Sequence, residues 1–147
     1  MNTLVIRKPD IILGLVLLFL FSDFAFSADV VVLAKTSTSW NGGDFSYPTG
    51  DAEVTAVKIR LDAGESTEWH CHPVPTFAYM LKGHIEVVTQ SGQSHLFNKG
   101  DVIDEVMNSR HQGKAVKGPA ELVAFYAGAV GVPNTKLQSS GDSCSPD

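Results

Sequence analysis

From Glu53 onward, apolar and polar residues alternate along the chain. Thr55, Val57, Ile59 and Leu61 alternate with Val54, Ala56, Lys58 and Arg60, giving one apolar and one mixed face at the period of a β-strand. Asp62-Ala63-Gly64 is a turn. Ser66 to His72 reads as the next strand, ended by Pro73 and Pro75, neither of which can donate to a ladder. Thr76 to Leu81 is a strand, Lys82-Gly83 a tight reversal, and His84 to Gln90 a further strand. Ser91-Gly92 makes a hairpin into Gln93–Phe97, Asn98-Lys99-Gly100 turns into Asp101–Val106, and Met107-Asn108-Ser109 turns again before His111. Lys117-Gly118-Pro119 precedes a last strand, Ala120 to Ala127. No amphipathic helix of useful length interrupts this pattern. Short strands at this spacing, split by Gly and Asn turns, predict an all-β antiparallel sandwich or barrel.

The ends read differently. Arg7 and Lys8 precede an apolar run, Ile11 to Phe21, followed by the small residues Ala25, Ser27 and Ala28. That is the order of a secretory signal peptide over residues 1–28, and the run is short of the ~20 apolar residues a membrane span needs. The expected location is periplasmic or secreted, with no stable membrane span after cleavage behind Ser27 or Ala28. Residues 29–52 open with the β-branched run Val30-Val31-Val32-Leu33-Ala34, expected as an edge strand. An irregular arm follows in which Trp40, Phe45 and Tyr47 lie on apolar surface. The barrel is expected over residues 53–130. Residues 131–147, ending in a Ser-rich stretch, read as a flexible tail.

Composition narrows the partners. The leader's charges cancel, so the formal net charge of −5 belongs to the rest of the 147-residue chain, and its few Lys and Arg residues are scattered. No phosphate-binding surface results, and nucleic acid is excluded as an expected partner. Two cysteines, Cys71 and Cys144, stand in a chain expected to be exported, where a disulfide can persist. The tail could carry Cys144 back to Cys71; two free thiols is the plainer expectation.

The chemistry concentrates in Gly64-Glu65-Ser66-Thr67-Glu68-Trp69-His70-Cys71-His72-Pro73. On a strand, His70 and His72 share a face with Cα atoms roughly 6.6 Å apart, and Cys71 points the other way. Two imidazoles at that reach can converge on one metal ion with bonds of about 2.0–2.1 Å.

The spacing around this pair resembles the first motif of the cupin superfamily, G-x5-H-x-H-x3,4-E-x6-G. Gly64, His70, His72 and Gly83 hold its places, and Thr76 stands where the glutamate belongs. The second motif, G-x5-P-x-G-x2-H-x3-N, is matched in frame by Gly100 and His111, with Val106, Asn108 and Ala115 replacing its other fixed residues. The resemblance implies a single small cupin barrel, a double-stranded β-helix of jelly-roll type. It also implies a divalent metal (Fe, Mn, Zn, Ni or Cu) held by His70, His72 and His111. Some cupin dioxygenases acting on thiols or diketones resemble a three-His arrangement.

Without the motif glutamate, a carboxylate would have to come from Glu68, Asp104 or Glu105. A regular turn at Met107–Ser109 would point Asp104 inward, and a bulge would reverse this. Glu105, following Val102-Ile103, is the candidate catalytic group, as ligand, hydrogen-bond acceptor or proton carrier. Thr76, Ala78 and Met80 should line the cavity, and His84 and His95 should lie on the surface. The expected function is a small-molecule enzyme of dioxygenase type. The alternative is a non-catalytic binder or sensor of a small ligand or metal. The barrel could also pair as a homodimer.

Overall fold

A computed structural model describes residues 28–141 and Cys144. The chain divides into two compact units at Val30/Val31. The first is described only over Ala28–Val30, so the signal peptide expected over residues 1–28 lies almost wholly outside the described residues. No helix of the described residues is long and apolar enough to cross a membrane.

The second unit is all-β. Its strands are β1 (Ala52–Leu61), β2 (His70–Cys71), β3 (Thr76–Thr89), β4 (Ser94–Asn98), β5 (Val102–Asp104), β6 (His111–Ala129) and β7 (Lys136–Leu137), and every strand pair is antiparallel. Two long strands organise the rest. The first half of β3 lies between β5 and the second half of β6, and β1 covers the other edge of that half of β6. The second half of β3 lies between β4 and the first half of β6, with β2 and then β7 beyond. Two layers result, and Ala78, Met80, Leu122 and Ala124 from one pack with Ile85, Val87, Phe97 and Ala115 from the other in a single core.

The Lys82-Gly83 reversal does not occur. β3 runs straight through it, and β6 likewise runs through Lys117-Gly118-Pro119, with the register slipping between Met80 and His84. Both sites are bulges that change the phase of the alternation. In β3 the buried residues are Thr76, Ala78 and Met80 before the bend, then Ile85, Val87 and Thr89 after it. In β6 they are His111, Gly113 and Ala115 before, then Ala120, Leu122, Ala124 and Tyr126 after. An extra residue in a strand exchanges its faces; here the exchange keeps the apolar set inside as each strand passes from one layer to the other. Gly83 sits at φ +75, and a Cβ there would run into the Pro119 carbonyl, so the crossing of the two bends requires glycine.

Two further expectations change. Val31–Ala34 is exposed and lies in no strand. The segment after Gly131, expected as a flexible tail, returns to the barrel: β7 pairs with β2, and Cys144 is disulfide-bonded to Cys71 in place of the expected free thiols. In the arm, Trp40 packs edge-on against Phe97 and Phe45 against Phe77, whereas Tyr47 stays exposed.

Candidate metal site

The strand expected over Ser66–His72 contracts to His70–Cys71, with a single bridge from Ser66 to Lys114. That is enough to set the histidines. His70 is the cross-strand partner of His111, and His72 bridges Met107 while its carbonyl accepts from the Asn108 amide. Asn108, at φ +54, closes the turn that returns the chain towards His111. His70, His72 and His111 therefore meet, with one ring nitrogen from each lying within 4.8 Å of the others.

Their tautomers are set from behind. The Nδ1–H groups of His70, His72 and His111 donate to the carbonyls of Glu68 (2.6 Å), Asn134 (3.0 Å) and Ser109 (2.9 Å). A carbonyl only accepts, so the proton is on Nδ1 and the Nε2 lone pair faces the common centre. Burial, followed by the mutual repulsion of the rings, lowers the pKa of His70 and holds that of His72 well below the ordinary value; burial lowers that of His111. Neutral imidazoles with converging lone pairs are what a metal ion requires.

Glu105 completes the arrangement. Its amide donates to the Thr76 carbonyl, continuing the β3–β5 register of Phe77 with Asp104 and Ala78 with Ile103. Glu105 thus sits directly across from Thr76, on the inward face, and Asp104 does not line the cavity. The Thr76 hydroxyl is occupied with the Val74 carbonyl. The side chain of Glu105 is 12% exposed, and its Oε2 lies 3.4 Å from His111 Nε2. Burial pushes the carboxyl up to about 7, while His70 and the Val106 amide pull it part of the way back. With the acid raised and the imidazole lowered, the pair is not a simple ion pair. Both facing atoms are buried without a hydrogen-bond partner, which is costly unless something else satisfies them. Three free lone pairs beside an unsatisfied carboxylate oxygen fit a bound cation.

Residues 57–126 match the family model of the cupin domain. The fold is a cupin barrel. Among solved structures it is similar to the DMSP lyase DddQ from Ruegeria pomeroyi DSS-3, with a TM-score of 0.51 and 20% identity over 65% of this chain and 46% of that one. It is also similar to a structure of the DMSP lyases RdDddP and RnDddQII, with a TM-score of 0.50 and 13% identity over 57% and 43% of the two chains. A Cupin 2 conserved barrel domain protein from Salinispora arenicola CNS-205 is 24% identical over 58% of this chain and 71% of that one, with a TM-score of 0.48. The chain spans less than half the length of the two lyase chains. The likeness to the two lyase structures supports the fold and nothing further. No curated protein matches the chain.

The three histidines and Glu105 line a cupin cavity of about 210 Å³. Ile59, Ala78, Val87 and Leu122 make its walls apolar; Thr76 and Ala78 line it as the alternation predicts, whereas Met80, expected with them, is buried in the core and does not line it. Glu68 reaches the cavity, but its Oε1 accepts from the Ser139 amide, and hydrogen bonds from Ser139 lower its pKa. His84 hydrogen-bonds Asn98, and His95 lies against Phe97 and Trp40; neither lines the cavity.

Sequence reasoning missed Tyr126, Asn134, Thr135 and Leu137. Tyr126, Thr135 and Leu137 line the cavity, and the Tyr126 hydroxyl is hydrogen-bonded to Thr135. Asn134 holds His72 from behind. The available signal for the last three was Cys144 itself: a second cysteine in a chain expected to be exported, whose one possible partner stands between two candidate ligands.

Proposed function

We propose that this is an exported small cupin that holds one divalent transition-metal ion through His70, His72 and His111. In this reading it is an enzyme of dioxygenase type acting on a small, weakly polar substrate. The observation that carries the reading is Glu105: a buried carboxyl, opposite Thr76 by register, with Oε2 unsatisfied and 3.4 Å from His111 Nε2. Bound there, the ion supplies Lewis-acid and one-electron chemistry at the positions that three neutral ligands leave open.

The protein's own residues do the rest. The three imidazoles add no charge of their own, and the backbone carbonyls behind them keep the rings oriented. The Glu105 carboxylate, buried beside the histidines, takes a proton from an acidic C–H or S–H of the substrate at Oε2. The apolar walls exclude water and favour a small substrate such as a thiol or a β-diketone. The test is oxygen consumption by Fe(II)-loaded protein supplied with a small thiol and, separately, a β-diketone. Uptake that depends on substrate and on all three histidines supports the reading. Tight retention of either compound with no uptake assigns the barrel as a binder or sensor instead.

A further inference from the structure

Cys71 stands between two histidines that face the cavity, so its own side chain faces away from them; it is fully buried. Its sulfur is bonded to Cys144. The segment that leads to Cys144 runs back along β2: Lys136 pairs with Cys71, Leu137 with His70, and the Gln138 amide donates to the Trp69 carbonyl. Just before this pairing, the Asn134 carbonyl accepts from His72 Nδ1, and the Thr135 hydroxyl lies 3.3 Å from the same nitrogen. The Asn134 side chain donates to Thr55. Thr135 and Leu137 are also walls of the cavity. One short segment thus orients a candidate ligand and closes the site.

Its pairing in the sheet is short. β7 has two residues and lies at the edge of its sheet, and a pairing of that length is marginal by itself. The crosslink fastens its far end to the strand that carries His70 and His72.

We propose that Asn134–Leu137 is the positioning segment of the metal site and that the Cys71–Cys144 disulfide is its pin, so that thiol–disulfide exchange with a dithiol loosens the metal and opens the cavity. The proposal rests on the reading of the three histidines as a metal site. A thiolate of the dithiol attacks the sulfur of the half-buried Cys144, and Cys71 leaves as a thiolate. The second thiolate of the reductant then attacks its own sulfur in the mixed disulfide and releases Cys144. Two electrons and two protons enter the protein, giving two thiols, and the reductant becomes a disulfide. With the pin gone, His72 loses the acceptor that fixes its ring, and Leu137 no longer holds its place in the wall.

The test measures Zn(II) affinity by competition with a chromophoric chelator, together with amide hydrogen exchange over residues 134–138. Three forms of the full chain are compared: oxidised wild type, wild type reduced by a dithiol and desalted without oxygen, and Cys71→Ser/Cys144→Ser, which leaves no sulfur to take the metal. The reduced protein and the double variant should bind Zn(II) about 10–100-fold more weakly, the range for removing a partner that orients a ligand. Their exchange at Lys136 and Gln138 should quicken while far-UV circular dichroism is retained. Equal affinity in all three forms, or unchanged exchange in the segment, overturns the proposal. Unfolding on loss of the crosslink overturns it as well, because the disulfide would then hold the barrel and not the segment. Failure of the oxidised wild type to bind Zn(II) defeats the metal reading itself, and shows before any comparison between forms.

Discussion

Thr76 and Glu105 face each other across β3 and β5, with the threonine hydroxyl committed to Val74 and the carboxylate left unsatisfied. The two positions share one face, so a carboxylate at either one reaches the same cavity. Glu105→Gln keeps the shape and removes the charge. Turnover should fall about 100- to 10,000-fold, the usual contribution of a positioned proton carrier, with folding intact. The exchange Thr76→Glu/Glu105→Thr should then restore part of the metal affinity that Glu105→Thr alone removes; calorimetric titration would show it, and no recovery would deny that the positions are equivalent. At this scale much was legible. His70, His72 and His111 were readable because a strand period and two motif frames fix them independently. The orientation of Glu105 was not, since it depends on how the chain leaves β5, where the Glu105 amide takes the Thr76 carbonyl.

The bends in β3 and β6 mark where element-scale reading stopped. Lys82-Gly83 and Lys117-Gly118-Pro119 carry ordinary turn chemistry, and a turn is the local reading of each. What makes them bulges is that β3 and β6 pair with each other on both sides of the bend, a fact no window of sequence contains. One trace was present: the apolar set changes from even to odd numbers between Met80 and Ile85, as a strand that changes phase requires. Gly83→Ala adds a side chain at positive φ and against the Pro119 carbonyl. It should cost on the order of 3 kcal/mol, read as a lower urea midpoint; an unchanged midpoint would mean the crossing tolerates a side chain. The tail failed for a related reason. Its composition is that of a disordered end, and a covalent partner with a 73-residue separation overrode it. On a chain-entropy estimate, closing a loop of that size removes about 4 kcal/mol of conformational freedom from the unfolded chain.

For the molecule as a whole, the two layers enclose a site that several chain regions build together: His70 and His72 from β2 and its exit, His111 from β6, Glu105 from the exit of β5, and walls from β1, β3, β6 and β7. Export is proposed from the order of residues in the first 28 positions. The mass of protein recovered from outside the cytoplasm should correspond to a chain beginning at Ala28 or Asp29, and an intact Met1 would contradict the cleavage. A metal held by these regions should couple to folding. Free metal at a thousand times its dissociation constant adds about 4 kcal/mol, so chelation should lower Tm by roughly 10 °C. The most direct test of the central claim is elemental analysis of untagged protein purified without chelators. Close to one transition-metal ion per chain is expected, lost in His72→Ala together with the chelator-sensitive part of Tm. Protein that carries no metal, and whose Tm chelators leave unchanged, would contradict it.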